Sequence, residues 1–168
     1  DNFKAGYDAT DHLIQQGCKN IIHIGGNLAR NVYSDRFAGY KNALQDAGME
    51  FKSHMFIQHP LNENTGKEII QQILNMNPLP DGIFTSNDTS AVSVMQELKN
   101  EGFQIPEDIA VVGFNNEPIS RIIDPNLSTI NYPGEEMGEI AASTLIEMLR
   151  DERSKHDNTI ILNHQLII

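Results

Sequence analysis

Cysteine is nearly absent from this chain. Cys18 is the only one in 168 residues, which excludes an internal disulfide framework and any cysteine-rich zinc site; it reads as a structural thiol at a helix end. Basic residues are scarce too. Twelve Lys and Arg stand against 23 Asp and Glu, a formal charge of −11, and such a surface does not grip phosphate backbone, which needs clustered cations. No apolar run approaches the roughly 20 residues of a spanning helix, so no membrane partner is expected. No targeting segment, internal repeat or low-complexity tract is visible. What remains, 39% apolar and 21% charged residues, is the composition of a folded soluble domain. The length fits one domain, or one domain with part of another.

Catalytic and metal patterns are equally thin. The six histidines, at 12, 23, 54, 59, 156 and 164, lack ligand spacing, and Asp8, Asp11 and His12 make only a helix-surface cluster. No metal and no cofactor are expected. There is no Gly-x-Ser-x-Gly elbow and no phosphate-cradling loop with a lysine, so nothing supports an enzyme. Gly25-Gly26 follows a strand, as a dinucleotide-binding loop would. The third glycine is missing, however, and no acidic residue closes a following strand at the right distance. The sequons at Asn87 and Asn126 are taken as chance matches.

Periodicity and punctuation predict alternating helices and strands. A helix spans 3–16, with Phe3, Tyr7, Leu13 and Ile14 partly on one face, and stops at Gly17. A buried strand follows over 20–24. Ser34 reads as the N-cap of the next helix, which carries Phe37, Tyr40, Leu44 and Ala47. A strand at 55–58 precedes a helix over 63–75 with Ile69, Ile70, Ile73 and Leu74 inward. Beyond Pro78 and Pro80 come a strand at 82–85 and a helix capped by Asn87 or Asp88, with Asp88 preferred; its buried stripe is Ala91, Val94, Met95 and Leu98. Strands at 109–113 and 128–131 follow. A helix over 133–150 is expected to bury Met137, Ile140, Ala141, Leu145 and Met148. The charge-rich stretch Asp151 to Asn158 is expected to be a solvated connector, and 159–168 a last apolar strand. Alternation of this kind, with continuously apolar strands, predicts an α/β fold: a mostly parallel sheet with helices on both faces.

The most informative segment runs from Ile105 to Asn116. A short apolar strand ends in Gly113 and then presents Asn115 and Asn116, and ligands of open α/β sheets bind beyond the carboxyl ends of the strands. Two other loops of that kind carry polar residues. One holds Arg30 and Arg36, the latter read as first-turn and therefore in need of compensation beside a helix N-terminus. From the residues alone, Arg36 is either a ligand contact or a surface arginine paired with Asp35. The other loop, Thr85-Ser86-Asn87-Asp88, is either a plain helix cap, worth about 1 kcal/mol, or a cap in which Asn87 also turns to a cleft.

The segment Ile105-Pro-Glu-Asp-Ile-Ala-Val-Val-Gly-Phe-Asn-Asn116 closely resembles a signature of the LacI/GalR family of bacterial transcription regulators. Further landmarks stand in order: Asp1-Asn2 with Gly6, Ile21 to Gly26, Arg36-Phe37-Ala38-Gly39-Tyr40, Gly66, Ser86-Asn87-Asp88, and Leu127-Ser128-Thr129-Ile130 followed by Glu136-Met137-Gly138. The likeness covers essentially the whole chain and is to the carboxyl-terminal part of the effector-binding domain. It implies a periplasmic-binding-protein-like type I (Rossmann-like) subdomain, in which 1–131 and 159–168 form the C-terminal subdomain and the 133–150 helix packs on an N-terminal subdomain outside the chain. It also implies a homodimer in the cytoplasm that reaches DNA only through a headpiece outside the chain and senses a sugar-like or nucleobase-like effector allosterically.

By that resemblance Arg36, Asn115 and Asn87 are effector-binding residues, with Arg30, Val32 and Leu61 as further cleft positions. Val92, Met95 and Ile123 are implied at the dimer interface. The chain departs from the family at 115, where an aspartate is usual; an amide both donates and accepts, whereas an ionised carboxylate only accepts. Val32 stands where some relatives carry a hydroxyl. The alternative of another class is a periplasmic sugar-binding protein of a transporter, which shares the fold; the Pro106-Glu107-Asp108 signature leans to the regulator.

Overall fold

Along each strand, successive side chains point to opposite faces of the sheet, and here both faces are covered by helices. That is why the strands read as unbroken apolar runs. The computed structural model describes residues 1–150 and 159–168; the expected connector at 151–158 lies outside the described residues. The strands are β1 (Ile21–Gly25), β2 (Phe56–Gln58), β3 (Gly82–Thr85), β4 (Ala110–Phe114), β5 (Ser128–Asn131) and β6 (Gln165–Ile167). They form one sheet in the order β2-β1-β3-β4-β5-β6. The first five are parallel, and β6 runs antiparallel to β5. The expected mostly parallel α/β sheet is therefore present. The expected terminal strand shrinks to three residues at an edge, where only β5 pairs with it.

Helices α1 (Asn2–Gln15) and α2 (Asn31–Asp46) cover one face, and α3 (Thr65–Leu74) and α4 (Asp88–Asn100) the other. Strand alternation sorts the core in two. Ile22, Ile24, Ile83 and Val111 pack toward α3 and α4, whereas Ile21, Phe84, Val112, Phe114 and Ile130 pack toward α1 and α2. The last helix, α5 (Gly134–Arg150), buries no residue. The stripe expected to be inside is not: Met137 is 49% and Leu145 58% exposed, and Ile140 only half-buried.

Helix starts differ from expectation in two places. Helix α2 begins at Asn31 behind Arg30, which makes no side-chain cap, so Ser34 is not its N-cap but bonds the Asn31 carbonyl from inside the first turn. Arg36 thus falls in the second turn, beyond the end where a cation is unfavourable. Helix α4 is capped by Asn87, whose side chain accepts from the Ser90 N–H, and not by Asp88. Asn87 has the extended backbone of a cap, while Asp88 is drawn beneath β4 and β5.

Helices α1 and α2 meet through glycines. A methyl at Gly39 would lie 2.1 Å from the Phe3 carbonyl oxygen, and one at Gly6 2.3 Å from that of Arg36. Neither neighbour can yield, since both are backbone. Gly39→Ala is therefore expected to cost about 1–3 kcal/mol through overpacking, read as a lowered midpoint in urea unfolding. An unchanged midpoint would contradict the close approach.

Candidate functional site

In a sheet of this order, the chain leaves β1 toward β2 on one side while β3 lies on the other, and the crevice at that switch point is where such sheets take ligands. Arg36 sits there. Its Nη1 donates to the Ser86 carbonyl beyond β3 at 2.8 Å, and its Nε donates to Asn2 Oδ1 at the start of α1 at 3.0 Å. The guanidinium carbon lies 3.4 Å from the centre of the Phe114 ring at the end of β4, a cation–π contact. Phe114 in turn stacks on Tyr132 beyond β5, with centroids 6.5 Å apart.

Every one of these partners is neutral. Arg36 is only 7% exposed, and among the described residues it forms no ion pair. Burial lowers its pKa to about 10, with Tyr33 and Tyr132 acting the other way. The surface arginine paired with Asp35 is thereby excluded. No buried polar side-chain atom of the described residues lacks a partner, so Nη2, which bonds to none of them, is not sealed in the interior.

Beneath Arg36, His23 lies fully buried among Phe37, Tyr40, Phe56 and Phe84. Its Nδ1 is 3.1 Å from the Phe84 carbonyl, which can only accept, so Nδ1 carries the proton. Nε2 is then free to accept from Ser86 Oγ at 3.4 Å. Burial depresses the His23 pKa to about 3, opposed by the Phe84 bond and aided by Arg36. A neutral imidazole therefore props the same Ser86 whose carbonyl holds Arg36.

Asp88 braces the neighbouring strand ends. It is fully buried, accepting from Thr129 Oγ1 at 2.6 Å and from the Glu117 N–H at 2.6 Å. Burial raises its pKa, against the pull of those hydrogen bonds. Gly113 is required above it, since a methyl there would lie 2.2 Å from Asp88 Oδ1.

Arg36, Asn87 and Asn115 all lie beyond the carboxyl ends of adjacent strands, linked by Arg36 touching Ser86 and Phe114. Asn87 spends both polar atoms, its Nδ2 donating to the Leu61 carbonyl at 3.2 Å besides its capping bond. Asn115 and Asn116 have φ of 112° and 53°, a region that asparagine tolerates better than most residues. Asn116 is tied inward, to Asn131 Oδ1 and Arg121. Arg30 and Val32 are exposed at the same end, before and within the first turn of α2. Leu61, at φ 63°, instead turns its side chain into the core and is 8% exposed; only its carbonyl meets Asn87.

The positions expected at an interface also differ. Met95 and Val92 are 1% and 4% exposed, packed within the chain's own core, so neither has surface for a partner. Ile123 is half-buried against that core, while its neighbour Ile122 is 79% exposed. The residues that sequence reasoning missed are His23, Phe114, Tyr132 and Glu117. Asn2 and Ser86 stood among the family landmarks without a role being given to them.

Several known proteins share this arrangement of elements. A family described as a periplasmic binding protein-like domain matches residues 10–168. The HTH-type transcriptional regulator RegA of Clostridium saccharobutylicum is 32% identical over 168 residues, 99% of this chain and 50% of RegA. The ribose operon repressor of Haemophilus influenzae is 32% identical over 163 residues, 97% of this chain and 49% of that protein. The solved structure of a transcriptional regulator CelR–cellobiose complex matches with a TM-score of 0.94 at 27% identity, covering 100% of this chain and 51% of that one. The chain spans about half the length of the curated relatives it matches.

One prediction follows from His23. A histidine whose folded pKa lies below its unfolded value of 6.5 must lose its proton to fold, so the unfolded state binds more protons and stability falls with falling pH. Wild-type melting temperature should therefore decline between pH 6.5 and about 3, and His23→Phe should flatten that slope. Equal slopes in the two proteins would contradict the buried neutral imidazole.

Proposed function

Since this chain belongs to the periplasmic-binding-protein-like domain family, in the form carried by LacI/GalR-type regulators, we propose that it is the effector-sensing part of such a regulator. The observation that carries the reading is Arg36, a buried guanidinium with neutral partners and an uncommitted Nη2 at the switch point of the sheet. Such a group recognises a small polar solute by donating hydrogen bonds from a fixed position. Asn115 adds a polar side chain, and Tyr132 an aromatic one, on the same rim. Sugars and nucleobases offer acceptors for the guanidinium and a face for the aromatic ring. The names of relatives, a ribose operon repressor and a regulator complexed with cellobiose, support a sugar-like effector.

The sensing works by population shift in this reading. An effector that binds better when a second subdomain closes over the rim favours the closed arrangement, and only that difference in affinity transmits a signal. Helix α5, with Met137, Leu145, Ile146 and Leu149 exposed, is the element assigned to packing on that subdomain, while 1–131 and 159–168 constitute the other. DNA contact belongs to a separate headpiece, a division that the charge of −11 supports. The working form is a cytoplasmic homodimer, with Ile122 rather than Met95 or Val92 offering surface for the partner. The relatives are transcription regulators, which favours this role over the transporter alternative and over catalysis.

Two measurements test the proposal. In a thermal-shift screen of sugars and purines, at least one compound should stabilise the wild-type protein. Arg36→Ala should weaken it at least tenfold, since a charged hydrogen bond contributes about 1.5–3 kcal/mol. Asn115→Ala, which leaves the core intact, should weaken it in the same direction. An affinity unchanged in both variants would remove the site assignment. In sedimentation, Ile122→Glu should shift the dimer toward monomer, and an unshifted dimer would place the interface elsewhere.

A further inference from the structure

Asn115 does not stand alone on the rim. Its Nδ2 donates to Glu117 Oε1 at 2.9 Å, and Glu117 Oε2 accepts from Thr89 Oγ1 at 2.8 Å. The Glu117 backbone is pinned as well, through its N–H to Asp88. Asn115 is held from its own side, its N–H donating to the Ile130 carbonyl at 2.8 Å. Neither residue can slide past the other.

An ionised carboxylate offers acceptors and no donors. The Asn115 amide must therefore turn its nitrogen to Glu117, which leaves its oxygen on the other side. That Oδ1 accepts no hydrogen bond among the described residues, and it is not sealed in the interior. We propose that Glu117 is a positioning residue that fixes Asn115 as an outward hydrogen-bond acceptor on the effector rim, an inference that rests on the sensing role above. The pair delivers what a single aspartate at 115 would deliver, while the negative charge sits one side chain farther back. The effector group that reaches Asn115 is accordingly a donor, a hydroxyl or an N–H, and an anionic group is repelled by the carboxylate behind it. The arrangement also accounts for the departure at 115. An aspartate there would set two carboxylates face to face at hydrogen-bond distance.

The test needs no effector. In Glu117→Gln the introduced side chain keeps its oxygen on Thr89 and turns its amide nitrogen toward residue 115, so Asn115 flips to accept through Oδ1. The side-chain amide NMR signals of Asn115 should then move from the position of an engaged, slowly exchanging proton to that of a solvated one. Asn115→Asp should lower the melting temperature by several degrees at neutral pH. The double variant Asn115→Asp/Glu117→Gln should recover most of that loss, because the new amide donates to the new carboxylate. Unmoved Asn115 amide signals in Glu117→Gln, or a double variant no more stable than Asn115→Asp, overturn the proposal. Either failure leaves the sensing role to be judged separately by the ligand screen.

Discussion

A guanidinium taken out of water without a counter-charge is the constraint around which this structure is arranged. Burying a charge is costly unless neighbouring groups replace its hydration. Here the replacement comes from three elements: the Asn2 amide at the start of α1, the Ser86 carbonyl beyond β3 and the Phe114 ring at the end of β4. The Asn2 contact depends on the close approach of α1 and α2 through Gly6 and Gly39. The packing of one face of the sheet is thus what holds the cation at the rim, and its incomplete satisfaction is what leaves it able to meet a solute.

The other strand ends are stiffened to match. His23 supports Ser86 from below without carrying charge, so it adds rigidity and no repulsion to the adjacent cation. Asp88 ties the start of α4 to β5 and to the Glu117 backbone, and Glu117 in turn fixes Asn115. On the far side, His59 joins β2 to α3 through Thr65 and Glu68, and Thr65 reaches Ser90 of α4. The loops after β2, β3 and β4 are each anchored to a neighbouring strand end through the N–H groups of His59, Ser86 and Asn115. In the proposed sensing role, a rim so anchored has its geometry set before a ligand arrives, which lowers the ordering cost of binding.

Much of the fold was legible because strands buried on both faces leave continuous apolar runs and glycines punctuate the helices. The position of Arg36 was legible too, but its depth was not: nothing in the local sequence says that Asn2 and Phe114 close over it. Val92 and Met95 were expected at an interface because the family resemblance implies one along α4, and how completely that helix is buried was not legible. Ser90 and Ser93 also lie buried on α4, bonded to Thr65 and the Gly66 N–H of α3 and to the Glu63 carbonyl ahead of it. A helix buried through small polar residues escapes a reading by hydrophobic period. Asp88 escaped for a related reason, since an acid at a helix start reads as a cap until the glycine above it, Gly113, is seen to make room. The helix α5 was periodic enough to predict, yet its periodicity could not say what it packs on.

The most direct trial of the account is a crystal structure of the protein with a stabilising solute bound. The account places that solute at the carboxyl ends of β1, β3 and β4, with acceptor atoms on the Arg36 guanidinium and a donor group on Asn115 Oδ1. A solute found at the opposite end of the sheet, with Arg36 still bound only to Asn2 and Ser86, would contradict it.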